Sequence, residues 1–125
     1  MGDRPVILIV EDDEDCRTVL ADLLEVSGYE VVCSGEARTA VEMARRTSPS
    51  LVLLDYTMPD EDGGWVVRSL RACGGALERV PVVLTTGSMA GREIAHQLGV
   101  RSLEKPFDVD RLLDLVRTLA PSAPP

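Results

Sequence analysis

The 125-residue sequence lacks any apolar run approaching the ~20 residues that a membrane helix requires. It lacks a secretory signal as well: Met1-Gly2-Asp3-Arg4-Pro5 has no basic region leading into a long apolar stretch. Basic side chains are the minority, 13 against 21 acidic ones, which sets the formal net charge at −8. So acidic a domain offers no basic face to a phosphate backbone, which argues against direct nucleic-acid binding. Cysteine is scarce: Cys16, Cys33 and Cys73 form no CxxC, and His96 is the only histidine. Zinc binding and a disulfide framework are thereby set aside, leaving small, partly buried thiols suited to a reducing cytoplasm.

With 45% hydrophobic and 27% charged residues, the chain has the means to build a core. Its length suits one domain over 1–125, with a core of about 5–119 and a Pro-rich tail at 120–125 too short to fold. Three apolar runs do not alternate: Val6-Ile7-Leu8-Ile9-Val10, Leu51-Val52-Leu53-Leu54, and Val80 to Leu84 around Pro81. Such runs suit strands covered on both faces, as in a parallel sheet. Tyr29-Glu30-Val31-Val32-Cys33 is more mixed and fits an edge strand, and Arg101-Ser102-Leu103-Glu104 is a weaker fifth strand.

Helical spacing fills the intervals. Cys16, Val19, Leu20, Leu23 and Leu24 share a face that stops at Ser27-Gly28, and Ala37, Ala40, Val41 and Ala44 form a stripe closed by Ser48-Pro49. Val66, Val67 and Leu70 precede Gly74-Gly75. Ile94, Ala95 and Leu98 predict a short fourth helix stopped by Gly99. Leu112, Leu113, Val116 and Leu119 make the last, with Asp108 or Asp110 as its cap. Strand and helix alternate five times, which predicts an α/β doubly wound parallel sheet with helices on both faces.

In that architecture reactive groups collect beyond the carboxyl ends of the strands. The first strand ends in Glu11-Asp12-Asp13-Glu14-Asp15, the third in Asp55, the fourth in Thr85-Thr86-Gly87-Ser88 and the fifth in Lys105-Pro106-Phe107. Glu11, Asp12, Asp55, Thr86 and Lys105 are therefore expected to converge on one shallow crevice. Crowded carboxylates repel one another unless a cation sits among them, and oxygen-only ligation with room for water matches Mg²⁺. Asp55 is then a candidate nucleophile for a phosphoryl group, with Lys105 and the Thr86 hydroxyl placed to neutralise its oxygens. Each residue taken alone has a plainer role. A strand-end Asp caps a helix, Asp13, Glu14 and Asp15 favour the positive end of the first helix, and Lys105-Pro106 is a surface corner. Trp65, Met43, Met58 and Met89 are expected to pack, and His96 to face solvent. The plain readings leave unexplained why acid, acid, Thr and Lys follow the first, third, fourth and fifth strands together.

In this respect the sequence resembles the receiver domain of two-component response regulators. Val10-Glu11-Asp12-Asp13 is similar to the acidic pair of that family. Leu54-Asp55-Tyr56-Thr57-Met58-Pro59 with Asp62-Gly63 is similar to the phosphoacceptor loop, Pro81 to Thr86-Gly87 to the switch-threonine strand, and Lys105-Pro106-Phe107 to the lysine turn. The resemblance implies a flavodoxin-like five-stranded parallel sheet, order 2-1-3-4-5, flanked by five helices. It implies that Asp55 accepts phosphate from a sensor histidine kinase or a histidine phosphotransfer protein. It implies Mg²⁺ held by Asp12, Asp55 and the Thr57 carbonyl, with Glu11 acting through water. Lys105 would hold the phosphoryl group, its bond to Pro106 would be cis, and Thr86 would swing inward.

The same resemblance implies a cytoplasmic, non-enzymatic switch that acts on a downstream protein target through its fourth helix, fifth strand and fifth helix. It would be a monomer or a phosphorylation-dependent homodimer. Two departures alter that expectation. Ser102 stands where the family usually has an aromatic residue, and the stretch from Thr86 to Lys105 is short and contains Gly87, Gly91 and Gly99. The readout is therefore expected to be atypical and the fourth helix short or mobile, and Thr57 and Ser88 flank the pocket where they would set phosphoryl lifetime. Two other readings carry distinct tests. A Mg²⁺-dependent phosphatase using Asp55 would turn over small phosphomonoesters, yet it wants an acid two positions after the nucleophile, where Thr57 stands. A flavin-binding protein would be coloured, and its phosphate loop wants Ser, Thr and Gly rather than Glu11-Asp12-Asp13.

Overall fold

The computed structural model describes residues 4–121, so the segments 1–3 and 122–125, including most of the expected tail, lie outside the described residues. The strands are β1 (Val6–Val10), β2 (Glu30–Ser34), β3 (Leu51–Asp55), β4 (Val82–Thr86) and β5 (Arg101–Glu104). The helices are α1 (Glu14–Val26), α2 (Ala37–Thr47), α3 (Gly63–Ala72), α4 (Met89–Leu98) and α5 (Val109–Leu119). All five strands pair in parallel in the order β2-β1-β3-β4-β5, with β2 at one edge and β5 at the other.

The non-alternating runs follow from cover on both faces. Ile7 and Ile9 point to one side with Leu51, Leu53, Val83 and Leu103, where Leu20, Leu24, Leu112 and Val116 of α1 and α5 cover them. Leu8 and Val10 point to the other side with Val52, Leu54, Val82 and Leu84, beneath Ala40, Ala44, Val66, Leu70 and Ala95 of α2, α3 and α4. Every residue of β3 and β4 is buried, so these central strands have no polar face to present. Fully burying one such Leu or Val is worth ~1.5–3 kcal/mol. Buried Tyr29 adds a tie of another kind, its hydroxyl donating to the Ala120 carbonyl at 2.8 Å and fastening the end of α5 to the segment between α1 and β2.

Short polar residues start the helices by accepting first-turn amides: Asp13 from Cys16 (3.1 Å), Asp62 from Trp65 (2.9 Å), Ser88 from Gly91 (3.1 Å) and Asp108 from Asp110 (2.9 Å). Helix α2 lacks such a residue of its own. Asp60, from the loop after β3, caps it from a distance, accepting the Ala37 and Arg38 amides at 2.9 and 3.0 Å.

Three expectations need correction. Helix α4 is not short: it runs for ten residues, as long as α3, because Ser88 caps it a full turn before the apolar stripe begins. A 3₁₀ turn over Gly75–Glu78 intervenes between α3 and β4, and β4 itself begins at Val82 and continues to Thr86. Met89 does not pack; it is 66% exposed on the outer side of the first turn of α4. Met58 is buried, Met43 and Trp65 pack partly against the same core, His96 is exposed, and all three cysteines are free and half-buried.

Candidate functional site

Parallel strands bring their carboxyl ends to one rim, and the loops that leave β1, β3 and β5 meet there. Glu11, Asp12 and Asp55 each offer a carboxylate oxygen, and these oxygens all lie within 4.8 Å of one another. Glu11 and Asp55 are buried, whereas Asp12 is exposed at the mouth. Lys105 reaches across from the edge strand, its ammonium donating to Asp55 Oδ2 at 3.0 Å and to Glu11 Oε1 at 3.2 Å. The other oxygen of Asp55 accepts the Thr57 amide at 3.1 Å. The Lys105-Pro106 peptide is cis.

The electrostatics of the cluster are partly balanced. Burial drives the Glu11 carboxyl above its ordinary range; the Asp13 amide bond opposes this and the nearby Asp55 charge adds to it. Burial pulls the Lys105 ammonium down, but its hydrogen bond to Asp55 and the charges of Asp55 and Glu11 outweigh that, and its net shift is upward. One ammonium faces three carboxylates. The all-oxygen donor set, open at Asp12, has the hardness and the surplus negative charge that suit Mg²⁺.

Thr86 stands apart from this group. It is buried, and its backbone carbonyl at the rim accepts the Lys105 amide at 2.8 Å. Its hydroxyl, however, is turned toward the start of α4, where it donates to the Ser88 carbonyl at 3.3 Å and accepts the Ser88 amide at 3.0 Å. The Ser88 hydroxyl lies 3.1 Å away. A Cβ at Gly91 would lie 2.2 Å from the Thr86 hydroxyl oxygen and 2.6 Å from its Cβ, so only glycine lets α4 seat on Thr86 this closely. Of the five residues expected in the crevice, four come together and the hydroxyl of the fifth is parked outside. On the outer face, Arg92 of α4 pairs with Glu104 of β5, and Ser102 is half-buried in β5 opposite Leu84.

Two residues beside the site were not singled out from sequence. Asp60 ties the loop after Asp55 to α2, and Arg17 lies against the β1–α1 loop with its guanidinium 2.8 Å from the Glu11 carbonyl. A capping aspartate 23 residues from its helix has no local signal; Arg17 had one, a lone cation two residues beyond an acidic run.

Comparison with known proteins agrees with this geometry. The chain is 38% identical over 119 residues to Protein Rrf1 of Nitratidesulfovibrio vulgaris, covering 91% of this chain and 82% of that protein. It is 31% identical to the polar-differentiation response regulator DivK of Brucella anthropi, covering 90% of this chain and 93% of DivK. Among solved structures, the receiver domain of the sensor histidine kinase PA1611 from Pseudomonas aeruginosa, which has a magnesium ion coordinated in its active-site cleft, superposes with a TM-score of 0.85. That match has 30% sequence identity and covers 94% of this chain and 98% of the other. The family model for the response regulator receiver domain matches residues 7–117, nearly the whole described chain, and the chain belongs to that family.

Proposed function

We propose that the protein is a phosphorylation switch in which Asp55 accepts a phosphoryl group from a sensor histidine kinase or a histidine phosphotransfer protein. The observation that carries this reading is the Asp55 carboxylate itself, buried, bonded to Lys105 at 3.0 Å and grouped with Glu11 and Asp12. In the transfer, an Asp55 oxygen bonds to phosphorus while the phosphorus–nitrogen bond of the phosphohistidine breaks, and the imidazole keeps the electron pair and gains a proton. Asp12, Asp55 and the Thr57 carbonyl would hold Mg²⁺, with Glu11 acting through water, and the ion would neutralise charge on the transferring group.

The remaining roles belong to this chain. Lys105 exchanges its bond to Asp55 for one to the phosphoryl oxygens, a charge-assisted contact. Thr86 leaves Ser88 and turns inward, giving the third phosphoryl oxygen a donor. That movement frees the start of α4 and changes the α4-β5-α5 surface that a downstream protein reads. With Ser102 in place of an aromatic, α4 and its Arg92–Glu104 pair carry the readout. The switch works in the cytoplasm, as a monomer or a homodimer formed on phosphorylation, and does not itself turn over substrate. Among the described residues no helix is long and apolar enough to cross a membrane.

Acetyl phosphate with Mg²⁺ should add one phosphoryl group to the intact chain by mass spectrometry. An unchanged mass, or the same gain in Asp55→Asn, rejects the reading. Repeated turnover of a small phosphomonoester would favour the phosphatase instead.

A further inference from the structure

The acidic loop after β1 is held on three sides. The Glu11 amide donates to the Ser34 carbonyl of β2 at 3.0 Å, and the Glu11 carboxylate accepts the Asp13 amide at 3.2 Å. The third hold is Arg17, in the first half of α1. Its Nη1 donates to the Glu11 carbonyl at 2.8 Å and approaches the Asp12 carbonyl at 3.4 Å. Arg17 is half-buried, and among the described residues it makes no ion pair, although Glu11, Asp12 and Asp13 are its neighbours. Its cation is directed at the two peptide carbonyls whose orientation sets where the Glu11 and Asp12 side chains project.

The neighbouring strand end is shaped to receive it. A Cβ at Gly35 would lie 2.9 Å from Arg17 Nη1 and 3.9 Å from the Glu11 carbonyl oxygen, so the guanidinium occupies the space that a side chain there would take. The Arg17 charge is also felt by Cys33 at the end of β2, where it opposes the upward push that burial gives the thiol. One nitrogen, Nη1, makes both carbonyl contacts, and the planar guanidinium that carries it fills the slot, whereas a lysine ammonium has no planar group to fix it there.

We propose that Arg17 is a positioning residue for divalent-cation binding, clamping the Glu11-Asp12 backbone through the slot left open by Gly35. The proposal rests on the reading of Glu11, Asp12 and Asp55 as a Mg²⁺ site. A clamp and a bare charge predict opposite signs. As a charge alone, Arg17 repels the ion, and its removal tightens binding. As a clamp, it preorganises the ligands, and its loss weakens binding by about tenfold, as loss of an outer support does in metal sites generally.

The test is the Mg²⁺ affinity of the intact chain by isothermal titration at fixed ionic strength, for Arg17→Lys, Arg17→Met and Gly35→Ala. Gly35→Ala is the decisive variant. It keeps the arginine and its charge, and the one close approach of its new methyl is to the far end of a side chain, Arg17 Nη1, so the fold survives if Arg17→Met does not. All three should bind Mg²⁺ about tenfold more weakly. Without metal, the Asp13 amide should exchange its hydrogen faster in each, because the loop that orients its acceptor has loosened. Unchanged or tighter Mg²⁺ binding in Arg17→Met or Gly35→Ala overturns the clamp, as does unchanged Asp13 exchange. Failure of the site itself shows differently: wild-type protein would bind no Mg²⁺, or Asp12→Asn would bind it as well as wild type, while the exchange measurement still decides the clamp.

Discussion

At the β1–β3 side of the rim, three carboxylates are already grouped and the Lys105 ammonium bonds two of them; at the β4 side, Thr86 is turned away and its hydroxyl bonds to Ser88. The contrast follows from charge. Grouped anions in a half-buried crevice need a cation, and Lys105 lies 3.0 Å from Asp55 and 3.2 Å from Glu11. A neutral hydroxyl feels no such pull and takes the nearest polar partners, which are the Ser88 backbone and side chain. The acceptor is therefore built in advance, and the responder waits on a new acceptor for its hydrogen bond.

The most severe way to break the first half is Asp55→Asn, which should abolish phosphoryl uptake from acetyl phosphate while leaving the fold intact by circular dichroism. Next is Lys105→Met, expected to slow uptake on the order of 10²-fold in a time course by mass spectrometry, as for loss of one transition-state donor. The same variant has a pH signature. The Glu11 pKa is raised in the fold, so the stability it contributes is full below its unfolded value of 4.5 and is lost as pH rises through the folded value. Lys105 lowers that folded value in part, so its removal widens the loss, and the denaturation midpoint of Lys105→Met should fall further below wild type at neutral pH than in acid.

Saturating Mg²⁺ sharpens the same half: at a hundred times Kd it should stabilise the protein by about 2.7 kcal/mol in chemical denaturation, and the gain should vanish in Asp12→Asn. The second half is broken at Gly91. Rotating Thr86 cannot move its Cβ, which sits 2.6 Å from where the new methyl would lie, so Gly91→Ala should force α4 outward and cost about 1–3 kcal/mol. A wild-type urea midpoint would show that α4 is not seated there. The mildest probe is Ser88→Ala, which removes the α4 cap and should cost about 1 kcal/mol while leaving the rate of phosphoryl uptake unchanged. A slowed rate would mean that the two halves are one unit.

Much of this was legible in the residues. Val6 to Val10 and Leu51 to Leu54 announce strands covered on both faces because they have no polar phase, and the glycine and serine stops bound the helices. Lys105 and Asp55 are legible because each follows a strand directly. The start of α4 was not, since Met89-Ala90-Gly91 places no apolar residue on the core side, and Ser88 with the close seat on Thr86 defines that turn instead. Asp60 and Arg17 escaped for a related reason: one caps a helix through space, and the other donates to carbonyls, which every residue carries.

The sequence by itself determined the alternation of strand and helix, the buried phases of the strands and the residue type at each strand end, because periodicity and capping act over a few positions. Only the tertiary structure decided that Lys105 would lie against Glu11, 94 residues away, and that Thr86 would not join them. Strand order and register set the first, and competition for one hydroxyl at the start of α4 set the second. Both depend on distances between groups that no local pattern encodes.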